Sequence, residues 1–343
     1  MARGTKTVNL ALQGGGAHGA LTWGVLERFL EEERLEFEGI TATSAGAMNA
    51  AALKCGWVHG GRDGARARLE SFWTGVAKRS PGSNPLSRWL AEVNPMLGMG
   101  LTALQTGPGY FAGETLTRIF SPYDLNPLNY HPLRDLIGTL DFDGMDEPAG
   151  PKLFICATNV RSGKIKVFKG EEISTDAILA SACLPTLFQA IEIGGEAYWD
   201  GGYIGNPALF PLFYETDSRD IVIVHINPIE RDEVPVRAPD ILNRINEISF
   251  NSSLLRELRN IDFVKRLIED GVLQGSRFKD VLIHSVRDDD TMAELGVATK
   301  LQPDNRLLMQ LRAKGYAAGD AFLKANWKNL GTRSSVDLRA MFE

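Results

Sequence analysis

A glycine-rich segment near the amino terminus is the first candidate for chemistry. It reads Gly14-Gly15-Gly16-Ala17-His18-Gly19 and lies between a short apolar run, Val8 to Leu12, and the start of a predicted helix. Glycines let the backbone turn tightly and bring N–H groups close to a ligand. A helix amino terminus favours negative charge. The segment is therefore suited to an anion, either a dinucleotide pyrophosphate or the transient oxyanion of acyl transfer.

The dinucleotide hypothesis is only partly satisfied by the spacing of the glycines. The segment fits G-x-G-x-x-G, but such sites also need an acidic residue at the end of the second strand to hold a ribose. The predicted second strand, Phe37 to Ala42, ends without a carboxylate, and Glu36 and Glu38 lie at its beginning. We therefore favour the oxyanion interpretation and keep a nucleotide site and a purely structural turn as alternatives.

Ser44 is the candidate nucleophile. It lies where the second strand meets a predicted helix of small residues, Ala45 to Leu53, in the frame Ala42-x-Ser44-x-Gly46. A sharp strand-to-helix turn presents a serine hydroxyl at the edge of a sheet, and small residues two positions away on either side relieve crowding. A serine at this position is also a good helix cap. The preceding glycine segment decides the prediction in favour of catalysis.

An Asp-Gly-Gly sequence supplies the candidate base. Asp200, Gly201 and Gly202 follow a predicted strand, Glu192 to Trp199, and the glycines allow a turn that carries a carboxylate into a cleft. Alone, this sequence is only a turn signal. A carboxylate with an ordinary pKa of about 4 is a weak base for an alcohol. It must be partly desolvated and assisted by a strong oxyanion hole.

Two histidines offer an alternative base. His225 and His284 follow Ser44 and Asp200 in the chain, so either could complete a Ser-Asp-His triad. Both are flanked by apolar residues of predicted strands, which is typical of buried histidines with satisfied hydrogen bonds. The His, Cys and carboxylate residues show no spacing that predicts a metal site.

Composition and charge exclude several classes of function. The formal net charge of -6 argues against nucleic-acid binding, which needs a basic surface. The apolar run at the amino terminus is shorter than a signal-peptide core, and no stretch approaches the roughly 20 apolar residues of a spanning helix. Cys55, Cys156 and Cys183 show no pairing pattern. We expect a cytoplasmic protein whose contact with a membrane, if it has one, is peripheral.

The remaining patterns alternate between strand and helix, which predicts a mostly parallel sheet covered by helices. No linker divides the chain, so one elaborated α/β domain is expected. The further predicted elements are a helix from Gly19 to Glu33, a strand from Lys152 to Asn159, a hairpin from Asn159 to Phe168, a helix from Ser174 to Ala182, strands at Ile221 to Ile226 and Val281 to Val286, a helix from Asp240 to Glu269, and a final helix marked by Leu307, Leu311 and Phe322.

Two regions outside the motifs bear on substrate access. Residues 80–130 are rich in proline and glycine and carry apolar side chains such as Trp89 and Phe111. They form either an irregular insertion with its own small core or an apolar cap over the site. The helix at 240–269 interleaves leucines with arginines and lysines, which favours packing on the domain over contact with anionic lipid.

The order of the three motifs, GGGAHG, ATSAG and DGG, resembles that of the patatin-like phospholipase family. The resemblance covers residues 7–210 and includes ASACLP at 180–185 and YWDGGYIGNP at 198–207. It implies a three-layer α/β/α domain with a mostly parallel central sheet. Residues 80–130 then form a cap-like insertion, and residues 211–343 add the remaining core strands and a helical carboxy-terminal region.

The resemblance also implies the chemistry. Family members hydrolyse acyl esters of lipids with a Ser-Asp dyad, generally without a bound cofactor, so a lipid or other acyl ester is the expected substrate. A catalytically silent relative that binds a lipid or a protein partner is the alternative. Transferred by position, the dyad is Ser44 and Asp200, the oxyanion hole is Gly14, Gly15, Gly16 and Ala17, and the supporting residues are His18, Gly19, Gly46, Gly201 and Gly202.

Two positions depart from the family pattern. His18 stands where the family loop usually carries arginine or lysine, so we expect the positive charge there to be weaker and to depend on pH. Ala42 stands where a glycine is common before the serine. Neither change removes a reacting group.

Overall fold

The computed structural model describes residues 4–79, 121–273, 278–301 and 303–343. Residues 80–120, which make up most of the predicted cap-like insertion, lie outside the described residues. The choice between a cap and an irregular insertion therefore stays a prediction.

A sheet of eight strands forms the centre of the described part of the chain. The strand order is β5-β6-β3-β2-β1-β7-β8, and β4 pairs with β3. The pairs among β3, β2, β1, β7 and β8 are parallel, whereas β4, β5 and β6 join in antiparallel pairs. The strands are β1 (Lys6–Leu12), β2 (Leu35–Thr43), β3 (Lys152–Asn159), β4 (Ile165–Lys169), β5 (Ile191–Ile193), β6 (Glu196–Asp200), β7 (Asp220–Val224) and β8 (Leu282–Val286).

Helices cover both faces of this sheet. Those in the described residues are α1 (Gly19–Glu31), α2 (Ala45–Lys78), α3 (Pro122–Leu125), α4 (Arg134–Ile137), α5 (Thr175–Ser181), α6 (Phe210–Glu215), α7 (Ala238–Glu269), α8 (Asp289–Ala293), α9 (Val297–Lys300), α10 (Asn305–Asn326) and α11 (Leu338–Phe342). Short 3₁₀ turns occupy Gly16–His18, Gly170–Glu172 and Gly201–Tyr203. The predicted α/β/α class, with its mostly parallel sheet and helical carboxy-terminal region, is confirmed.

Two apolar clusters explain the three layers. Successive strand residues point to opposite faces of a sheet. In β1, Leu10 and Leu12 belong to one cluster and Ala11 to the other, and β7 divides Val222 from Ile223 in the same way. The first cluster takes helical side chains from α1, α2, α4, α5, α8 and α10, and the second from α6, α7 and α11.

Helix α2 is much longer than the predicted Ala45 to Leu53. The prediction stopped early because glycines follow, and glycine is a poor helix former. Only Gly60 and Gly61 leave the helical conformation, at a break between two helical segments. Gly56 and Gly64 instead permit close packing, since a Cβ on Gly56 would lie 2.2 Å from the carbonyl oxygen of Gly64.

Helix α7 packs on the domain, as the favoured interpretation of its sequence predicted. Leu254, Leu258 and Ile261 are buried in the second cluster, while Ile245 and Ile248 are exposed to solvent. Within the described ranges, no helix has both the length and the apolar character needed to cross a membrane.

Helices α1 and α10 cross at glycines. A Cβ on Gly24 would lie 1.9 Å from the carbonyl oxygen of Arg312, and a Cβ on Gly315 would lie 1.9 Å from that of Leu21. This close approach matters for the candidate site because α1 begins directly after the glycine segment.

We expect Gly315→Ala to lower the free energy of unfolding by about 2 kcal/mol, because the added methyl group must push two backbones apart. The clash has to exceed the roughly 1 kcal/mol by which alanine favours a helix over glycine. Denaturant unfolding measures the difference. Gly296→Ala is the matched control, since no atom lies within 4 Å of its added Cβ. Equal stabilities of the two variants would contradict the prediction.

Candidate active site

Ser44 occupies the turn between β2 and α2 in a strained conformation. Its φ and ψ angles are 55° and -121°. Among the described non-glycine residues only Ser44 and Asn129 have a positive φ, and such a conformation costs about 1–3 kcal/mol. The Ser44 side chain makes no capping hydrogen bond to α2. The alternative role of Ser44 as a helix cap is therefore wrong, and capping does not account for its strained backbone.

Neighbouring groups hold this turn in place. The Ser44 N–H donates to Ser181 Oγ at 2.9 Å, and the Ser181 hydroxyl donates to the Cys156 carbonyl oxygen at 2.7 Å. A Cβ on Gly46 would lie 2.3 Å from the Leu12 carbonyl oxygen, so the end of β1 and the start of α2 come together only with glycine there. The predicted supporting role of Gly46 thus has a steric cause.

Asp200 ends β6 and is fully buried. Its Oδ1 accepts a hydrogen bond from the Gly202 N–H at 2.7 Å, and its backbone N–H donates to the Cys183 carbonyl oxygen at 2.8 Å. The two following glycines lie in tight contacts: a Cβ on Gly201 would lie 2.3 Å from the Cys156 carbonyl oxygen, and one on Gly202 would lie 2.3 Å from the Phe250 ring. Because Gly201 and Gly202 have no side chains, the turn can pack closely enough to place the Asp200 carboxylate deep in the domain.

The environment of Asp200 makes it a stronger base than an ordinary aspartate. Burial raises the pKa of Asp200 from 3.8 to about 7, against the opposing effects of the Gly202 N–H and the Ser44 hydroxyl. The Oδ2 atom, however, makes no hydrogen bond of normal geometry in the described structure. The Ser44 hydroxyl is thus near enough to interact with the carboxylate but is not fully aligned, and catalytic hydrogen bonds often tighten only when substrate binds.

The glycine segment lies against Ser44. A Cβ on Gly14 would lie 2.6 Å from Ser44 Cβ, and a Cβ on Gly19 would lie 2.7 Å from Ala45 Cβ. Gly16 has a φ of 59°, which favours glycine, and packs on the backbone of Lys300. The structure therefore brings the predicted loop, nucleophile and base together at one edge of the sheet.

The four predicted oxyanion donors are not equivalent. The Gly14 N–H donates to Asn206 Oδ1 at 2.7 Å, and the Gly14 carbonyl oxygen accepts from Asn227 Nδ2 at 2.9 Å. Because its N–H is already bonded, the prediction that Gly14 donates to an oxyanion is corrected. No described residue accepts a hydrogen bond from the N–H groups of Gly15, Gly16 or Ala17.

His18 is buried and uncharged. Its Nε2 atom lies 2.7 Å from Thr299 Oγ1, and its Nδ1 atom has no partner among the described residues. Burial, with a smaller effect of the Lys300 charge, lowers the pKa of His18 to about 3. The expected pH-dependent positive charge is therefore wrong near neutral pH.

Neither strand histidine takes part in a triad. His284 lies in β8 and bonds to Asp220 and Ser335, as expected for a satisfied core histidine. His225 is also buried, but neither of its ring nitrogens has a partner among the described residues, so the expectation of satisfied hydrogen bonds fails there. In the described part of the chain, no histidine bonds to Ser44 or Asp200.

The arrangement gives no support to a nucleotide or metal site. Glu38, one of the two carboxylates considered for a ribose, accepts from the N–H groups of Asp217 and Ser218, at the start of β2 and away from the glycine segment. Across the described ranges, no cluster of His, Cys, Asp or Glu is placed to hold a metal ion.

A network of buried amide side chains was missed from the sequence. Gln13 Oε1 accepts from the N–H groups of Ile226 and Asn227, and Gln13 Nε2 donates to Asn251 Oδ1. Asn206 and Asn227 bond the backbone of Gly14, so this network holds the start of the glycine segment in place. The signal that could have found them is the placement of polar residues beside glycine and proline at strand ends, in LQGGG, YIGNP and HINP.

Comparison with known proteins finds a matching family model and several similar solved structures. The model of the family Patatin-like phospholipase matches residues 10–213. VipD from Legionella pneumophila is 15% identical, with 93% of this chain and 67% of VipD covered and a TM-score of 0.40. Two structures of ExoU with SpcU, from the type III secretion system of Pseudomonas aeruginosa, are 15% and 14% identical, cover 91% and 93% of this chain, and have TM-scores of 0.31.

The solved structures are longer than this chain and only distantly similar. The match spans 52% and 53% of those two chains, so this chain corresponds to about half of their length. No protein of the curated set matches the chain significantly.

The family model covers more than half of the chain and includes the glycine segment, Ser44 and Asp200. Because members of this family are lipid acyl hydrolases, the match supports a hydrolase that acts on lipid. The chain belongs to the patatin-like phospholipase family.

Proposed function

We propose that this protein hydrolyses acyl esters of lipids, with Ser44 as nucleophile and Asp200 as its base. One observation carries the proposal: a serine in a strained turn lies beside a fully buried carboxylate whose Oδ2 atom is unpaired and whose pKa is raised to about 7. Perturbed carboxylates next to a nucleophile are typical of catalytic sites.

The reaction follows from these positions. Ser44 Oγ attacks the acyl carbonyl carbon while its proton passes to Asp200 Oδ2, and the carbonyl oxygen becomes an oxyanion. The N–H groups of Gly15, Gly16 and Ala17 donate to that oxygen. When the intermediate collapses, the proton moves from Asp200 to the departing alcohol. Water then repeats the sequence on the acyl-enzyme and releases the fatty acid.

A lipid surface is the proposed source of the substrate. Ile241, Ile245 and Ile248 form an exposed stripe on α7, with 40%, 57% and 55% of each residue accessible. The same helix carries Phe250, which packs on Gly202 beside the base. An apolar stripe close to the site suits peripheral contact with a membrane. A cytoplasmic location remains part of the proposal.

We expect Ser44→Ala and Asp200→Asn each to lower the turnover of p-nitrophenyl esters by about 10³-fold or more, since each removes one half of the nucleophile and base pair. Asp217→Asn is the matched control, because it removes an exposed carboxylate that has no contact with the site. All variants are compared at equal folded fraction by circular dichroism.

The other outcomes of this experiment are also decisive. Full activity of Asp200→Asn would show that another group is the base. Wild-type protein that is inert on every ester and on mixed phospholipid vesicles, yet binds those vesicles, would favour the silent relative. Reaction of Ser44 with a fluorophosphonate probe, followed by mass spectrometry, separates an activated hydroxyl from an inert one.

Chain length tests the lipid part of the proposal. With p-nitrophenyl esters of two to sixteen carbons, we expect kcat/KM to increase toward the longer acyl chains, because each buried methylene contributes about 0.8 kcal/mol. A maximum at two carbons would indicate a general esterase, with the dyad unaffected by that result.

The pH dependence tests the base directly. Only the carboxylate form of Asp200 can accept the Ser44 proton, so we expect kcat/KM to rise with pH through an apparent pKa near 7. Burial also raises the pKa of the Glu257 carboxyl to about 7. If Asp200 is the base, the Glu257→Gln variant should keep the activity transition near pH 7. Loss of the transition in that variant would assign the transition to Glu257 instead.

Stability should change in the opposite direction over the same pH range. The folded state holds the Asp200 proton up to about pH 7, while the unfolded chain releases it near 3.8. The stability that this group contributes is complete below 3.8 and is lost as the pH rises toward 7. A decline in activity on acidification therefore does not arise from unfolding driven by Asp200.

A further inference from the structure

Lys300, at the end of α9, is a partly buried cation beside the glycine segment. Its Nζ atom donates to Asn227 Oδ1 at 2.8 Å and lies 3.5 Å from Asn246 Oδ1. Both partners are neutral amides. Among the described residues, no carboxylate lies within ion-pair distance of Lys300, so its charge is not neutralised by direct contact. The nearby His18 ring is uncharged, which leaves Lys300 as the source of positive charge at this position.

A chain of hydrogen bonds links this charge to the candidate oxyanion hole. Asn227 accepts from Lys300 and donates through Nδ2 to the Gly14 carbonyl oxygen at 2.9 Å. The Gly14 carbonyl and the Gly15 N–H belong to the same planar peptide unit. Two hydrogen bonds therefore connect the Lys300 ammonium group to the Gly14–Gly15 peptide. The Gly15 N–H of that peptide has no acceptor among the described residues.

Such a chain strengthens its last donor. A cation bonded to the Asn227 oxygen withdraws electron density from that amide and makes its Nδ2–H a better donor. The stronger bond polarises the Gly14 carbonyl and increases the positive charge on the Gly15 N–H, because hydrogen bonds in a chain reinforce one another. Because Lys300 is partly buried, the direct field of its ammonium group is also less screened than in water.

We propose that Lys300 is a positioning residue that strengthens the oxyanion hole through Asn227 and the Gly14–Gly15 peptide. This inference depends on the proposed function, since it assigns a role in that same reaction. The Lys300 backbone also packs against the glycine segment, because a Cβ on Gly16 would lie 2.3 Å from the Lys300 carbonyl oxygen.

The charged groups around Lys300 leave it partly unpaired. Glu247 on α7 is held by Arg231 and Arg244, and His18 faces Lys300 from the glycine segment. Burial lowers the pKa of Lys300 to about 8, with Glu247 opposing this effect and Arg231 adding to it. The ammonium form is therefore present at neutral pH and is lost in mildly alkaline solution.

The test compares Lys300→Gln, which keeps a donor but removes the charge, with Lys300→Arg, which keeps the charge. We expect Lys300→Gln to lower kcat about tenfold, with KM changed by less than about twofold, as for an interaction made only in the transition state. Lys300→Arg should keep most of the wild-type rate. Lys314→Gln, at an exposed lysine of α10, is the matched control.

The alkaline pH profile gives a readout that a merely structural lysine would not change. We expect wild-type kcat to decline above about pH 8 and Lys300→Arg to lack that decline, because arginine stays charged. Between pH 8 and 10.5 the folded state binds fewer protons at Lys300 than the unfolded chain, so this group favours folding as the pH rises. Its deprotonation therefore does not explain the decline by unfolding.

Several results would overturn the inference. They are an unchanged rate in Lys300→Gln, equal losses in the Gln and Arg variants, or additive losses for Lys300→Gln and Asn227→Ala in a double-mutant cycle. If Lys300→Gln does not fold, the alkaline pH profiles of kcat for wild type and Lys300→Arg still test the inference. An active wild type whose activity depends on Ser44 but not on Lys300 defeats only this inference, whereas an inert wild type defeats the proposed function as well.

Discussion

The candidate site depends on one steric constraint: two adjacent strand ends meet with no side chain between them. Strands β1 and β2 are parallel neighbours, so the segments that follow them leave the sheet at the same edge. The glycine segment can then lie against Ser44 only if Gly14 has no Cβ, since that atom would lie 2.6 Å from Ser44 Cβ. Gly46 meets the same limit against Leu12. Any larger residue would separate the free backbone donors from the serine that they are proposed to serve.

The same tight packing creates the chemistry of Asp200. Exclusion of water raises the pKa of Asp200 from 3.8 to about 7, and each tenfold change in acidity corresponds to about 1.4 kcal/mol. Burial thus narrows the gap in proton affinity between this carboxylate and an alcohol by about 4 kcal/mol. The gap that remains is still large, because an alcohol is a far weaker acid. In the proposed mechanism, the oxyanion donors of the glycine segment must therefore supply much of the remaining stabilisation of the transition state.

Much of the fold could be predicted from the sequence, because apolar alternation and glycine placement are local signals. Those signals located β1, β2 and β3 to within a few residues and placed Ser44 and Asp200 at strand ends. The state of His18 could not be predicted, since its burial depends on Thr299 and Lys300, which are distant in sequence. The glycine segment favoured catalysis over helix capping for Ser44, but the strained dihedral angles of Ser44 could not be predicted from the sequence. The role of the amides also depends on long-range contacts that no local pattern records.

The candidate site is built from two parts of the chain, the segment matched by the family model and the residues that follow it. Residues 10–213 carry the family motifs and hold the proposed reacting groups. Asn227, Thr299 and Lys300 lie beyond that segment, yet they pack against Gly14, His18 and Gly16, respectively. The charge near the loop is therefore set by residues that the motifs do not include. Because a partly buried charge is less screened than one in water, two chains with identical motifs can differ in donor strength at the proposed oxyanion hole. In the proposed reaction the family motifs supply the reacting groups, whereas Asn227 and Lys300, outside those motifs, are proposed to set the strength of the oxyanion donors.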